Sequence, residues 1–201
     1  MQDKTFLALG DSYTIGEGAA DSGGWPAQLV GMLRRDGVGV SDPRIIAKTG
    51  WTTDELSAAI DAARIDGRKF DLVTLLIGVN NQYRGRDAEE YRAEFTALLK
   101  RAIAFADGRS SHVIVVSIPD WGVTPFAKDR HRDKIAREID QFNQINREET
   151  LRAGARYVDI TQASRSHPDQ IAPDGLHPSA EMYTQWAESI LPQAKAILSQ
   201  R

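Results

Sequence analysis

Five short runs rich in leucine and β-branched residues recur along the chain, at 5–9, 44–47, 71–77, 112–118 and 156–160, and the segments between them carry helical apolar spacing. Runs this short, apolar over most of their length, suit parallel strands buried on both faces. Tyr91, Phe95, Leu98, Ala102 and Phe105 form one stripe at helical period. Ile135, Ile139, Phe142 and Ile145 form a second, in a helix expected to end near Gly154. Tyr183, Trp186, Ile190, Ala194 and Ile197 form a third, opening at about Ser179. Such stripes face a core. Two helix starts are marked by the spacing of a capping arrangement, Thr52 with Glu55 and Asp87 with Glu90. Strict alternation of strand and helix demands right-handed crossovers and a sheet covered on both sides. The predicted architecture is therefore a three-layer α/β/α sandwich in one domain, 1–201.

Composition narrows the functional classes. The net charge of -3, with both signs interspersed, supplies no large basic field and argues against a nucleic-acid partner. With no cysteine there is no disulfide, thiolate nucleophile or cysteine-ligated zinc. No apolar stretch approaches the roughly 20 residues that span a bilayer. After Lys4 only a few apolar residues precede polar Gly10-Asp11-Ser12, too few for a signal peptide, so a cytoplasmic location is expected.

In an open parallel sheet the carboxyl ends of the strands share one edge, and ligands bind where the strand order reverses. With order 2-1-3-4-5, the segments leaving strands 1, 2 and 3 become neighbours. These begin at Ser12, Gly50 and Asn80. Gly10-Asp11-Ser12 places a serine at a strand end beside a glycine that lets the backbone turn, a position from which its hydroxyl can act as a nucleophile. Near the other end of the chain, Asp174-Gly175-Leu176-His177 sets a carboxylate and an imidazole three positions apart before Pro178. A loop of that spacing can fold Asp174 back onto His177. Each fragment also has a plain structural reading as a turn or cap. Three longer irregular stretches, 11–24, 119–132 and 167–177, are of the length that carries function in compact domains.

Gly10-Asp11-Ser12, Gly50, Gly78-Val79-Asn80-Asn81 and Asp174-Gly175-Leu176-His177 resemble, in order, the four blocks of SGNH/GDSL hydrolases. The resemblance spans nearly the whole chain and implies a flavodoxin-like sandwich and an esterase. It implies Ser12 as nucleophile, His177 as base and Asp174 as the carboxylate orienting the imidazole, with the N–H groups of Ser12 and Gly50 and the Asn80 amide as the oxyanion hole. One departure is visible: Asn81 stands where many members have aspartate. The chemistry is consistent with these roles. A serine hydroxyl needs a base to attack at neutral pH, and an asparagine amide stabilises a developing oxyanion without competing as a base.

The implied reaction is cleavage of a small-molecule carboxylic ester through an acyl-enzyme, the acyl group coming from a lipid, a thioester or an acetylated carbohydrate. An acyltransferase using the same site, or a non-catalytic binding module, are the alternatives. No cofactor is expected. His167, Asp169, Asp174 and His177 carry metal-ligating side chains, but lie in one irregular stretch without a helical His-x-x-x-His pair, so no metal is expected either. His131 with Asp133 reads as a solvated helix face, and no phosphate-binding glycine loop is present. Trp51, Tyr83 and Trp121, with Phe126, fall in loops at the rim of the expected site. They are candidates for lining a substrate pocket or for closing the core beneath those loops.

Overall fold

The computed structural model describes residues 3–20 and 22–199. Its strands are β1 (Phe6–Asp11), β2 (Arg44–Lys48), β3 (Leu72–Leu76), β4 (Val113–Val116) and β5 (Arg156–Val158). All pair in parallel, in the order β2-β1-β3-β4-β5 that the sequence predicts. Central β1 has every residue buried, as do β3 and β4, which explains their predominantly apolar runs. Edge strand β2 opens on half-buried Arg44 and ends on exposed Lys48, placing charge where the sheet meets solvent.

The helices are α1 (Ser12–Ile15), α2 (Trp25–Arg35), α3 (Thr53–Ala62), α4 (Val79–Tyr83), α5 (Ala88–Phe105), α6 (Arg132–Arg152), α7 (Thr161–Ser166) and α8 (Ala180–Leu198). Helices α2 and α8 pack on each other, while α5 packs against both α3 and α6, giving the two outer layers. All three apolar stripes read from the sequence are buried. Trp25 of α2 and Trp186 of α8 are both fully buried, and truncating a buried tryptophan to alanine typically costs about 3–5 kcal/mol. Both marked helix starts are capped, the second by its aspartate alone: the Glu55 carboxylate accepts the Thr52 N–H at 2.9 Å, and Asp87 Oδ1 accepts those of Glu89 and Glu90 at 2.8 and 3.1 Å.

The stretches expected to be irregular hold more structure than their composition suggests. Segment 11–24 contains α1, and segment 119–132 contains 3-10 turns at Trp121–Val123 and Pro125–Ala127. Helix α2 starts on a Trp-Pro pair directly after Gly24, a first-turn proline being compatible with helix geometry. Asn80, Asn81 and Tyr83 stand on the single turn and a half of α4, where the glycine and asparagines suggest only a polar turn. Gly10 is required by a close approach. A Cβ there would lie 2.1 Å from Thr14 Oγ1 and 2.4 Å from the Leu76 carbonyl oxygen. Only a bare backbone lets α1 fold back over the end of β1.

Candidate active site

The parallel register places Gly10 opposite Leu76 and Asp11 opposite Lys48, so the exits of β1, β2 and β3 lie side by side. Ser12 is the first residue of α1 and is almost wholly buried. Asp11 caps that helix by accepting the Tyr13 N–H at 3.1 Å, which fixes the serine at the strand-to-helix corner. The Tyr13 ring meets the His177 ring edge-on, with centroids 5.9 Å apart, so the chain's two distant motifs are packed together.

Asp174 folds back onto His177 within its own loop. Its Oδ2 lies 2.6 Å from His177 Nδ1, and its Oδ1 accepts the N–H groups of Leu176 and His177, each at 2.9 Å. Burial pushes the Asp174 carboxyl up, but those backbone donors and the His177 ring together hold it below the ordinary carboxylate value. With Nδ1 engaged, Nε2 is the ring nitrogen left to exchange protons. Glu17, just past α1, sets a carboxylate oxygen 3.7 Å from Nε2, and this carboxylate also accepts the Thr49 hydroxyl. Nothing in the sequence pattern marked Glu17, which is separated from the histidine by most of the chain.

Gly50 adopts a left-handed φ of 83° and turns the chain after β2. Arg84 donates to its carbonyl oxygen at 2.7 Å. The Asn80 amide donates to the Trp51 carbonyl at 2.9 Å, and Asn81 bridges to Thr53, accepting its N–H at 3.1 Å and donating to its hydroxyl at 2.7 Å. Both asparagines thereby tie the exit of β3 to the exit of β2. An amide nitrogen carries two N–H groups, and anchoring one of Asn80's on Trp51 orients the other.

Asp11, between the glycine and the serine of the first motif, is also titratable. Burial lifts its carboxyl to about 7, the Tyr13 N–H opposing this only in part, and its Oδ2 has no hydrogen-bond partner among the described residues.

A cavity of about 230 Å³ opens beside Asn80, lined by Val79, Asn80, Tyr83, Trp121, Phe126 and Leu176. The Phe126 N–H donates to the Gly175 carbonyl at 2.9 Å, joining this wall to the loop that carries His177. Trp121 is buried and donates its indole N–H to Gln82 at 2.8 Å, whereas Tyr83 and Phe126 are largely exposed. Trp51 is half-buried against the core and does not line this cavity. A larger hollow of about 390 Å³ lies at the opposite edge, among Thr5, Phe70 and Asp71 at the amino ends of β1 and β3, away from the converging motifs. His167 ends α7 with its ring facing the Ala163 carbonyl, and among the described residues no group of three or more acidic, histidine or cysteine side chains is placed to hold a metal. No helix of the described residues is long and apolar enough to cross a membrane.

The same fold recurs in solved structures. Crystal structures of TesA (TM-score 0.75, 20% identity, covering 96% of this chain and 99% of that one) and of the psychrotrophic esterase EstA from Pseudoalteromonas sp. inhibited by monoethylphosphonate (0.75, 18%, 98% and 100%) superpose over nearly the whole chain. So does Axe2, an acetylxylan esterase from Geobacillus stearothermophilus (0.70, 21%, 98% and 95%). No curated protein matches by sequence. The GDSL-like lipase/acylhydrolase family model matches residues 8–185, from β1 into α8 and so through all four motifs. With the ordered motifs, the strand order and that match in agreement, the chain belongs to the GDSL-like lipase/acylhydrolase family and is a carboxylic ester hydrolase.

Proposed function

We propose that the chain hydrolyses carboxylic esters through an acyl-enzyme on Ser12, with His177 as base, Asp174 as the residue that orients it, and the N–H groups of Ser12 and Gly50 with the Asn80 amide as the oxyanion hole. The observation that carries this reading is the Asp174–His177 hydrogen bond of 2.6 Å, made by a carboxylate already fixed by two backbone N–H groups. It selects the tautomer with the proton on Nδ1, leaving Nε2 basic. The Ser12 oxygen attacks the acyl carbon while its proton passes to Nε2. The resulting oxyanion is met by donors already held in place, including the second N–H of the Asn80 amide. Collapse expels the alcohol, which takes the proton from Nε2. Water then attacks the acyl-enzyme by the same route in reverse.

The cavity beside Asn80 supports a short acyl or leaving group, its volume being below the roughly 300–1,000 Å³ typical of sites for drug-sized ligands. The test is labelling with an active-site phosphonate followed by peptide mass spectrometry. Ser12 should carry the adduct, and Ser12→Ala should lose both labelling and esterase activity. An adduct elsewhere, or an active Ser12→Ala protein, would refute the assignment.

A further inference from the structure

Several arginines of the outer layers are partnered by carboxylates: Arg84 by Glu55, Arg86 by Asp54, Arg92 by Glu148 and Glu149, Arg101 by Asp61, Arg165 by Asp120 and Asp140. Arg130 is set apart by the aromatic rings it lies against. Among the described residues no carboxylate lies within 4 Å of it, and its one side-chain hydrogen bond is a long one, 3.5 Å, to the Tyr83 hydroxyl. Instead its guanidinium sits 5.8 Å from the centre of the Tyr83 ring and 6.0 Å from that of Phe126. Both rings line the cavity beside Asn80. An exposed arginine held on aromatic faces keeps most of its N–H groups unused while losing conformational freedom, which is the arrangement that takes up a carboxylate or phosphate bidentately.

The surroundings reinforce this charge. A second hollow, of about 200 Å³, shares Tyr83 and Trp121 with the first and is lined by Arg130, His131 and Lys134, with Glu138 as its one acidic member among the described residues. Glu138 is already engaged by Gln82 at 2.8 Å and Lys134 at 3.6 Å. Between 128 and 137 the chain has five lysines and arginines against two aspartates, a local charge of +3 on a protein of net charge -3. Helix α6 also begins here, at Arg132, and presents the positive end of its dipole.

We propose that Arg130 is a specificity-determining residue: the part of the ester that fills the cavity beside Asn80 ends in an anion, a carboxylate or phosphate, which the Arg130 guanidinium binds at the cavity mouth. This rests on the hydrolase reading above and adds the chemical class of its substrate. The apolar walls take the carbon chain, Asn80 lies beside the reacting carbonyl, and Tyr83 and Phe126 hold the guanidinium at the rim.

Two matched ester pairs test it and separate the acyl from the alcohol side. The acyl pair is 4-nitrophenyl hemiglutarate against 4-nitrophenyl pentanoate, and the alcohol pair is 4-acetoxyphenyl phosphate against phenyl acetate. In each, the ratio of kcat/KM for the anionic to the neutral ester is compared between the wild type and Arg130→Ala, which cancels the intrinsic reactivity of the esters. The ratio should fall about tenfold in one of the two series, less in Arg130→Lys, and the wild-type ratio should shrink as salt is raised. Arg130→Gln, which retains the stem over the rings, should behave as Arg130→Ala. Ratios unchanged within about twofold in both series would overturn the proposal. Calorimetric titration of the same esters onto the Ser12→Ala protein, with and without Arg130→Ala, reads the preference without turnover. A protein inactive on every ester that still binds the anionic member through Arg130 would count against the hydrolase reading alone, whereas equal binding of both members would sink this one.

Discussion

Asn81 and Thr53 exchange two hydrogen bonds whose directions are fixed: Asn81 Oδ1 accepts the Thr53 N–H at 3.1 Å, and Asn81 Nδ2 donates to the Thr53 hydroxyl at 2.7 Å. That hydroxyl in turn donates to Glu94 on α5. The relay from α4 through α3 to α5 works only if position 81 supplies a donor. It gives a physical meaning to the asparagine found where many family members have aspartate.

Asn81→Asp should therefore be destabilising, by about 1–3 kcal/mol in denaturant unfolding, because the Thr53 hydroxyl would have one proton for two carboxylates. Adding Glu94→Gln should recover much of that loss. The glutamine amide can donate to the hydroxyl, which then turns to the new aspartate and reverses the relay. A double variant no more stable than Asn81→Asp would show that the relay has no such direction.

Asn80, one residue earlier, lines the cavity, and its loss should be felt in turnover. Asn80→Ala should lower kcat by roughly 10²–10³ with a smaller effect on KM, since the oxyanion it would meet exists mainly in the transition state. Steady-state kinetics on a single 4-nitrophenyl ester decide. A defect confined to KM would make Asn80 a ground-state binding residue.

Asp11 should leave a signature in the pH dependence of stability. Its carboxyl is raised to about 7 in the folded protein by burial, against about 3.9 in an unfolded chain. Between those values the folded state binds more protons, so this group's contribution is full below about pH 4 and is lost as pH rises through about 7. Asp11→Asn removes that loss. Its stability relative to the wild type should increase from pH 5 to pH 8, on the order of 2 kcal/mol. Urea unfolding of both proteins across that range is the measurement, and a constant difference would mean that Asp11 does not change ionisation there.

Tyr83 and Trp121 line one cavity but should respond differently to truncation. Tyr83 is 47% exposed, so Tyr83→Ala should melt near the wild type while changing the kcat/KM ratio between short and long acyl esters. Trp121 is 5% exposed and bonded to Gln82, so Trp121→Ala should also lose about 3–5 kcal/mol of stability. Melting curves and an ester chain-length series separate the two effects. An unchanged ratio in both variants would detach the cavity from the acyl group.

The fold and the order of the motifs were legible in the sequence because they depend on short-range properties. Short apolar runs report burial on both faces, helical stripes report one buried face, and strict alternation leaves few topologies. The Asp174–His177 contact belongs to this class, since it forms within a four-residue loop. Other features depend on where the crossovers set one element against another. Glu17 reaches the His177 imidazole across most of the chain, Asn81 reaches Thr53 across 28 positions, and Arg130 reaches Tyr83 across 47. The burial of Asp11 likewise requires the strands and helices that enclose it. The sequence by itself determined which chemical groups stand at the strand ends, because local backbone preferences and apolar periodicity act over a few residues. Tertiary structure alone decided which of those groups meet, how far each is desolvated and what charge faces the cavity, because strand register and helix packing bring remote side chains within a few ångströms.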